Sequence, residues 1–252
     1  GGTPTYAISG NAGDNSFESI ANPVAYSGGK GDDVYLTRTL SDNVSTRMDP
    51  AMLGGITVNE LAGEGTDTYA SGYWSAVLPA NVENLVLISP NPVSNYNLTF
   101  YGHGGNDFTH KLIGNALNNR IDATLYEDKL YSQWWYSYRN MPLTGAGAFR
   151  LEGGAGADTL IGERGDDTYV VDNPGDLVVE NGVTKLGADY STDTIETPFE
   201  TSLAQYPHVE NITLVGNAAV GATGDAKANR LDGSLSPAAN RLNGGAGNDA
   251  YV

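Results

Sequence analysis

The chain has 252 residues, 30 of them acidic and 13 basic, for a formal net charge of −17. So acidic a surface repels nucleic acid, and 40% hydrophobic content with 15 tyrosines excludes a disordered acidic tail. No cysteine is available for disulfides or thiolate metal sites, and no apolar run approaches the ~18 residues of a membrane-spanning helix, so membrane insertion is not expected.

Glycine, at 33 residues, is nearly twice its usual share of about 7%, which calls for frequent turns. The turns fall on a period of nine. Residues 28–36, GGKGDDVYL, have glycine at places one, two and four, aspartate at place six (Asp33) and an apolar residue at place eight (Tyr35). Residues 10–18 are a variant with Asn15 and Phe17. Residues 19–27 keep only Tyr26 and put Val24 where the carboxylate would be, and residues 37–45 carry Asp42 and Val44. The apolar series Phe17, Tyr26, Tyr35, Val44 is unbroken. A period of nine fits neither a helix face nor a simple amphipathic strand.

Residues 56–88 contain three anchors that recur in order after Asp176. Val58-Asn59-Glu60 matches Val179-Glu180, Thr66-Asp67-Thr68 matches Thr192-Asp193-Thr194, and Val82-Glu83-Asn84-Leu85 matches Val209-Glu210-Asn211-Ile212. Nonapeptides with asparagine at place six close each unit: GNALNNRID at 114–122 (Asn119) and GDAKANRLD at 224–232 (Asn229). They keep the coil shape while neutralising the acidic position. The division is a first module over 1–161, a second over 162–243, and the start of a further repeat over 244–252. The first includes a segment outside the register, YSQWWYSYRNMP at 131–142.

Between the modules, residues 153–179 are three nonapeptides in succession, with Asp158, Asp167 and Asp176 at place six and Leu160, Tyr169 and Val178 at place eight. Glycine adopts positive φ and leaves backbone carbonyls room to turn toward a shared ion, while aspartate adds a hard anionic oxygen. The last three residues form a short strand with the middle side chain inward. This stretch resembles the RTX, or haemolysin-type, calcium-binding repeats.

The resemblance implies an all-β chain folded as a right-handed parallel β-solenoid, or calcium β-roll, two nonapeptides per coil, with Ca2+ between turns of successive coils. Turns 18 residues apart then share a side, so Asn15 faces Asp33 and Asp158 faces Asp176, with Asp167 opposite. The implied ligands are Asp33, Asp42, Asp158, Asp167, Asp176, Asp249 and Asn15, with the turn glycines Gly29, Gly31, Gly154, Gly156, Gly165, Gly245 and Gly247. Glu60, Asp67, Glu180 and Asp193 are candidates for a second kind of site, against the competing reading of solvated charges. Trp134, Trp135, Tyr136 and Tyr138 are read as a loop covering the solenoid flank, a contact with neighbouring subunits, or a glycan platform.

For catalysis the sequence offers no H-E-x-x-H, no G-x-S-x-G and no phosphate loop, and His103, His110 and His208 are scattered, so no enzyme is expected. The expected role is structural, in a secreted bacterial surface protein such as a surface layer, filament or adhesin, with calcium driving folding and self-association. The alternatives are a folding and secretion module of an RTX toxin or hydrolase whose catalytic domain lies elsewhere, or a glycan-binding module. The resemblance further implies an extracellular or cell-surface location reached by type I secretion. The open last repeat reads as a fragment end or as a surface that docks on a neighbour.

Overall fold

The computed structural model describes residues 6–19, 24–37, 56–71, 76–87, 110–123, 148–162, 165–180, 183–184, 187–188 and 191–252. Short strands follow one another at the tail of each repeat, and the chain changes sheet after almost every one. Even-numbered strands β2 (Ser16–Ser19), β4 (Val34–Thr37), β6 (Thr68–Ser71), β8 (Asn84–Leu87), β10 (Arg120–Asp122), β12 (Thr159–Ile161) and β14 (Leu177–Val179) form a seven-stranded parallel sheet in that order. Odd-numbered strands make its counterparts. One is the three-stranded sheet β1 (Tyr6–Ser9), β3 (Val24–Ser27) and β5 (Ile56–Val58). The other is an eight-stranded sheet of β7 (Ala76–Val77), β9 (His110–Ile113), β11 (Phe149–Glu152), β13 (Thr168–Val170), β17 (Thr194–Thr197), β19 (Asn211–Leu214), β21 (Arg230–Asp232) and β23 (Ala250–Tyr251).

Late in the chain the even-numbered partner is a three-stranded sheet of β18 (Thr201–Ser202), β20 (Gly221–Thr223) and β22 (Arg241–Asn243). β15 (Val183–Thr184) and β16 (Gly187–Ala188) form an antiparallel excursion, and the helical structure among the described residues is a 3-10 turn at Leu203–Gln205. The chain is all-β and its long sheets are parallel, as a β-roll requires.

Register fixes which side chains stack. In the seven-stranded sheet the inward ladder runs Phe17, Tyr35, Tyr69, Leu85, Ile121, Leu160, Val178. In the eight-stranded sheet it runs Ala76, Leu112, Leu151, Tyr169, Ile195, Ile212, Leu231, Tyr251. Most of these residues are fully buried and belong to one continuous core with Tyr26, Phe149 and Ala222. Phe17 and Tyr35 stack at a ring separation of 5.3 Å, with Tyr26 tilted against both. Tyr251, at place eight of its nonapeptide, pairs in register with Leu231 yet is 55% exposed. A coil offers only a few such inward side chains, so the contacts between the turns of successive coils add to what the core supplies.

The stacking interval is 18 residues only where nonapeptides run uninterrupted, as from Phe17 to Tyr35 or Leu160 to Val178. The register holds over longer intervals too: Ile121 pairs with Leu160 and Tyr35 with Tyr69.

Candidate metal centres

Each turn ends on its sixth residue, immediately before a strand, so these residues form a column at the edge of each sheet. The turn glycines Gly29, Gly31, Gly154, Gly156, Gly165, Gly245 and Gly247 all have positive φ, from 87° to 138°. Two show why glycine is needed. A Cβ on Gly154 would lie 2.4 Å from the Asn115 carbonyl oxygen, and one on Gly156 would lie 2.3 Å from that of Leu117. The turn of one coil therefore packs directly on the carbonyls of the coil beneath.

The sixth-place residues are linked in a polar ladder. The N–H of Asn15 donates to Asp33 Oδ1 at 2.7 Å, that of Asp33 to Asp67 Oδ1 at 2.8 Å, and that of Asp67 to Glu83 Oε2 at 2.8 Å. Further along the same edge, Asn119 N–H donates to Asp158 Oδ1 at 2.7 Å and Asp158 N–H to Asp176 Oδ1 at 3.0 Å. On the opposite edge Phe149 N–H donates to Asp167 Oδ1, Asp167 N–H to Asp193 Oδ1, Asp193 N–H to Glu210 Oε2 and Asn229 N–H to Asp249 Oδ1, at 2.8 to 3.2 Å. Asn15 and Asp33 thus share one edge, as do Asp158 and Asp176, while Asp167 stands on the other.

This ladder uses one oxygen of each carboxylate. The second oxygens of Asp33 and Asp158 are buried and have no hydrogen-bond partner. The asparagine turns differ at that atom: Asn119 Nδ2 donates to the Glu83 carbonyl at 3.3 Å and Asn229 Nδ2 to the Glu210 carbonyl at 2.9 Å. Where the side chain is an amide, the column supplies its own positive partner. Where it is a carboxylate, a buried anionic oxygen is left without a partner, which a hard divalent cation would supply. Asp176 is an intermediate case, because its Oδ2 accepts the N–H groups of Asp172 and Asn173 at 3.1 and 3.0 Å.

Burial leads the electrostatics. It pushes the Asp158 carboxyl up to about 6, with Asp176 adding repulsion, and raises Asp33. Asp67 is pushed up to about 6 by burial and then by Glu60, and Asp193 to about 8 by burial and then by Glu180. A cation at these positions reverses each push, because it replaces the lost hydration of the charged form.

Glu60, Asp67, Glu180 and Asp193 are all buried, which contradicts the solvated-charge reading. Asp167, Glu180 and Asp193 each bring a carboxylate oxygen within 4.8 Å of the others. Glu60 Oε1 accepts the Gly28 N–H at 2.7 Å and the Tyr35 hydroxyl, and the Tyr169 hydroxyl donates to Glu180 in the same way. Sequence reasoning missed the two tyrosine hydroxyls, treating those side chains only as core. It also missed Glu83 and Glu210, whose carboxylates cap Asp67 and Asp193; their signal was the repeated Val-Glu-Asn anchor. Asp42, Trp134, Trp135, Tyr136 and Tyr138 lie outside the described residues.

Among the described residues no helix is long and apolar enough to cross a membrane. No curated protein and no solved structure matches the chain. Residues 144–173 and 236–251 match the family of the RTX calcium-binding nonapeptide repeat, in 4 copies. The parallel roll, the positive-φ glycine turns and this match agree: the chain carries RTX calcium-binding nonapeptide repeats, and Ca2+ is the ion they bind.

Proposed function

We propose that this chain is a calcium-dependent folding region of a secreted protein, in which ions seated at the turn columns hold successive coils together. The observation that carries this reading is the pair of buried, unpartnered oxygens on Asp33 and Asp158, set against the self-satisfied amides of Asn119 and Asn229. Asp33, Asp158, Asp167 and Asp249, with Asn15 and Asp176 as neighbouring rungs, are the proposed first ligands, and carbonyls of the glycine turns complete the shell. Calcium at the millimolar levels found outside cells fills sites of this kind.

The finer reading is a structural repeat of a surface layer, filament or adhesin, supported by the module that the sequence carries twice. Trp134 and Trp135 are its proposed contact residues toward a neighbouring subunit or a glycan. Light scattering with circular dichroism, in millimolar calcium and then in chelator, tests both levels. Order that appears only with calcium supports calcium-dependent folding, and large species that appear with it support assembly. Unchanged β-structure in chelator refutes the first. A folded monomer in calcium refutes the second.

A further inference from the structure

We propose that Glu60 and Glu180 each complete a buried, three-carboxylate site for a hard divalent cation, with Asp33 and Asp67 in one and Asp167 and Asp193 in the other. The proposal rests on the calcium reading of the repeats and departs from the nonapeptide pattern, which supplies no glutamate. The pairing of Tyr26 with Val58 sets Glu60 opposite Gly28, and that of Ile161 with Val179 sets Glu180 opposite Gly162. A glutamate therefore stands where the coil beneath has the first glycine of its turn. Its side chain reaches back over the sixth-place aspartate.

Two observations point to an ion. In the first site Glu60 Oε1 is occupied by the Gly28 N–H and the Tyr35 hydroxyl, while Glu60 Oε2 and Asp33 Oδ2 are buried with no partner; Glu60 is 6% exposed and Asp33 0%. In the second, the three carboxylates offer oxygens within 4.8 Å of one another. Oxygens bound to one calcium at about 2.3 to 2.6 Å are at most about 5 Å apart, so all three reach a single ion.

The hydrogen-bond pattern around the carboxylates occurs twice, while among the described residues Asp167, Glu180 and Asp193 alone bring their oxygens within 4.8 Å of one another. Besides the tyrosine and the aspartate rungs, Thr66 N–H donates to Asp32 Oδ1 at 2.8 Å and Thr192 N–H to Asp166 Oδ1 at 2.9 Å. The twins stand on opposite edges, since Asp33 precedes β4 of the seven-stranded sheet and Asp167 precedes β13 of the eight-stranded one. In the second site the antiparallel pair β15 and β16 intervenes between Glu180 and Asp193. The ion would clamp the coil before the excursion to the coil after it.

The test is calcium binding by equilibrium dialysis, and thermal melting in calcium and in chelator, on the whole chain and on Glu60→Gln, Glu180→Gln and the double variant. Each glutamine should remove one ion from the tight class, lower the melting point in calcium and raise it in chelator, where a buried charge has been deleted. An unchanged ion count with a melting point raised in both conditions overturns the proposal. A parent chain that binds no calcium fails the underlying reading instead, and is recognised because every variant then melts alike with and without the ion. Should a glutamine variant not fold, Glu180→Asp, which keeps the charge and withdraws it by one methylene, decides. Weakening of the tight class by about tenfold or more supports an ion-bound carboxylate, and unchanged affinity overturns it.

Discussion

The turns at 153–158 and 224–229 both lead into three-residue strands, yet they differ in backbone and in the sixth side chain: Gly154 and Gly156 have positive φ, and Asp225 and Lys227 at the same places do not. Asp158 presents a buried oxygen with no partner where Asn229 presents an amide nitrogen bonded to the Glu210 carbonyl at 2.9 Å. Both are followed by three-residue strands whose central leucine, Leu160 or Leu231, is fully buried. Coil geometry is thus reached with either turn backbone over a buried leucine. Dependence on an ion is a separate property, assigned turn by turn through the residue at place six.

Calcium removal is the largest way to break this comparison. Hydrogen exchange in chelator should show protection lost first over 28–37 and 153–161, where carboxylates face one another, and last over 221–232, where the amide ladder is self-sufficient. Uniform loss would mean that the roll melts as a single unit and that the two kinds of turn are not energetically distinct.

Next in size is pH. In the calcium-free chain Asp193 is raised from 3.8 to about 8 by burial and Glu180, and Asp67 and Asp158 to about 6 by burial first. A raised carboxyl gives stability that is fully present below its unfolded value and lost as pH climbs through its folded value. The calcium-free chain should therefore be most stable near pH 4 and weaken in steps, through about 6 and then about 8. In saturating calcium the slope should vanish or reverse over that window, because protons compete with the ion. Melting curves at several pH values, with and without calcium, check the crossing.

Much of this was legible in the sequence because the period of nine ties backbone and chemistry together: all seven turn glycines singled out by pattern have positive φ. The Asn15–Asp33 and Asp158–Asp176 neighbours followed from the 18-residue coil. What could not be read was the stacking across insertions, since Ile121 meets Leu160 and Tyr169 meets Ile195 at intervals no repeat predicts. Hence Glu83 and Glu210 stayed hidden, because their role as rungs appears only once Asp67 and Asp193 are known to lie in the adjacent coil. The tyrosine hydroxyls were hidden for another reason. A residue at an inward position reads as core, and nothing local announces that its polar end reaches a glutamate.

Glycine substitution tests the backbone half of the comparison. Gly156→Ala places a Cβ 2.3 Å from the Leu117 carbonyl oxygen at φ +138°, and Gly247→Ala does the same against Lys227 at 2.1 Å and φ +126°. Both should destabilise by more than about 1 kcal/mol whether or not calcium is present, since the conflict is with backbone. Equilibrium unfolding of each variant in calcium and in chelator measures it, and a penalty confined to calcium would show that these glycines serve ion binding alone.

The smallest and sharpest test exchanges the sixth side chain alone. Asn229→Asp replaces an amide donor with a buried oxygen beside the Glu210 carbonyl, and should cost about 1–3 kcal/mol in chelator, the usual penalty for an unsatisfied buried group. Asp158→Asn should do the reverse, stabilising the calcium-free chain while removing one bound ion. If the column is interchangeable, the cost at position 229 shrinks as calcium is added, because the new carboxylate acquires a cation where Asp249 Oδ1 already accepts the local N–H at 3.1 Å. If calcium does not recover it, the carbonyls around position 229 are set for an amide, and the selectivity resides in the turn as well as in the side chain.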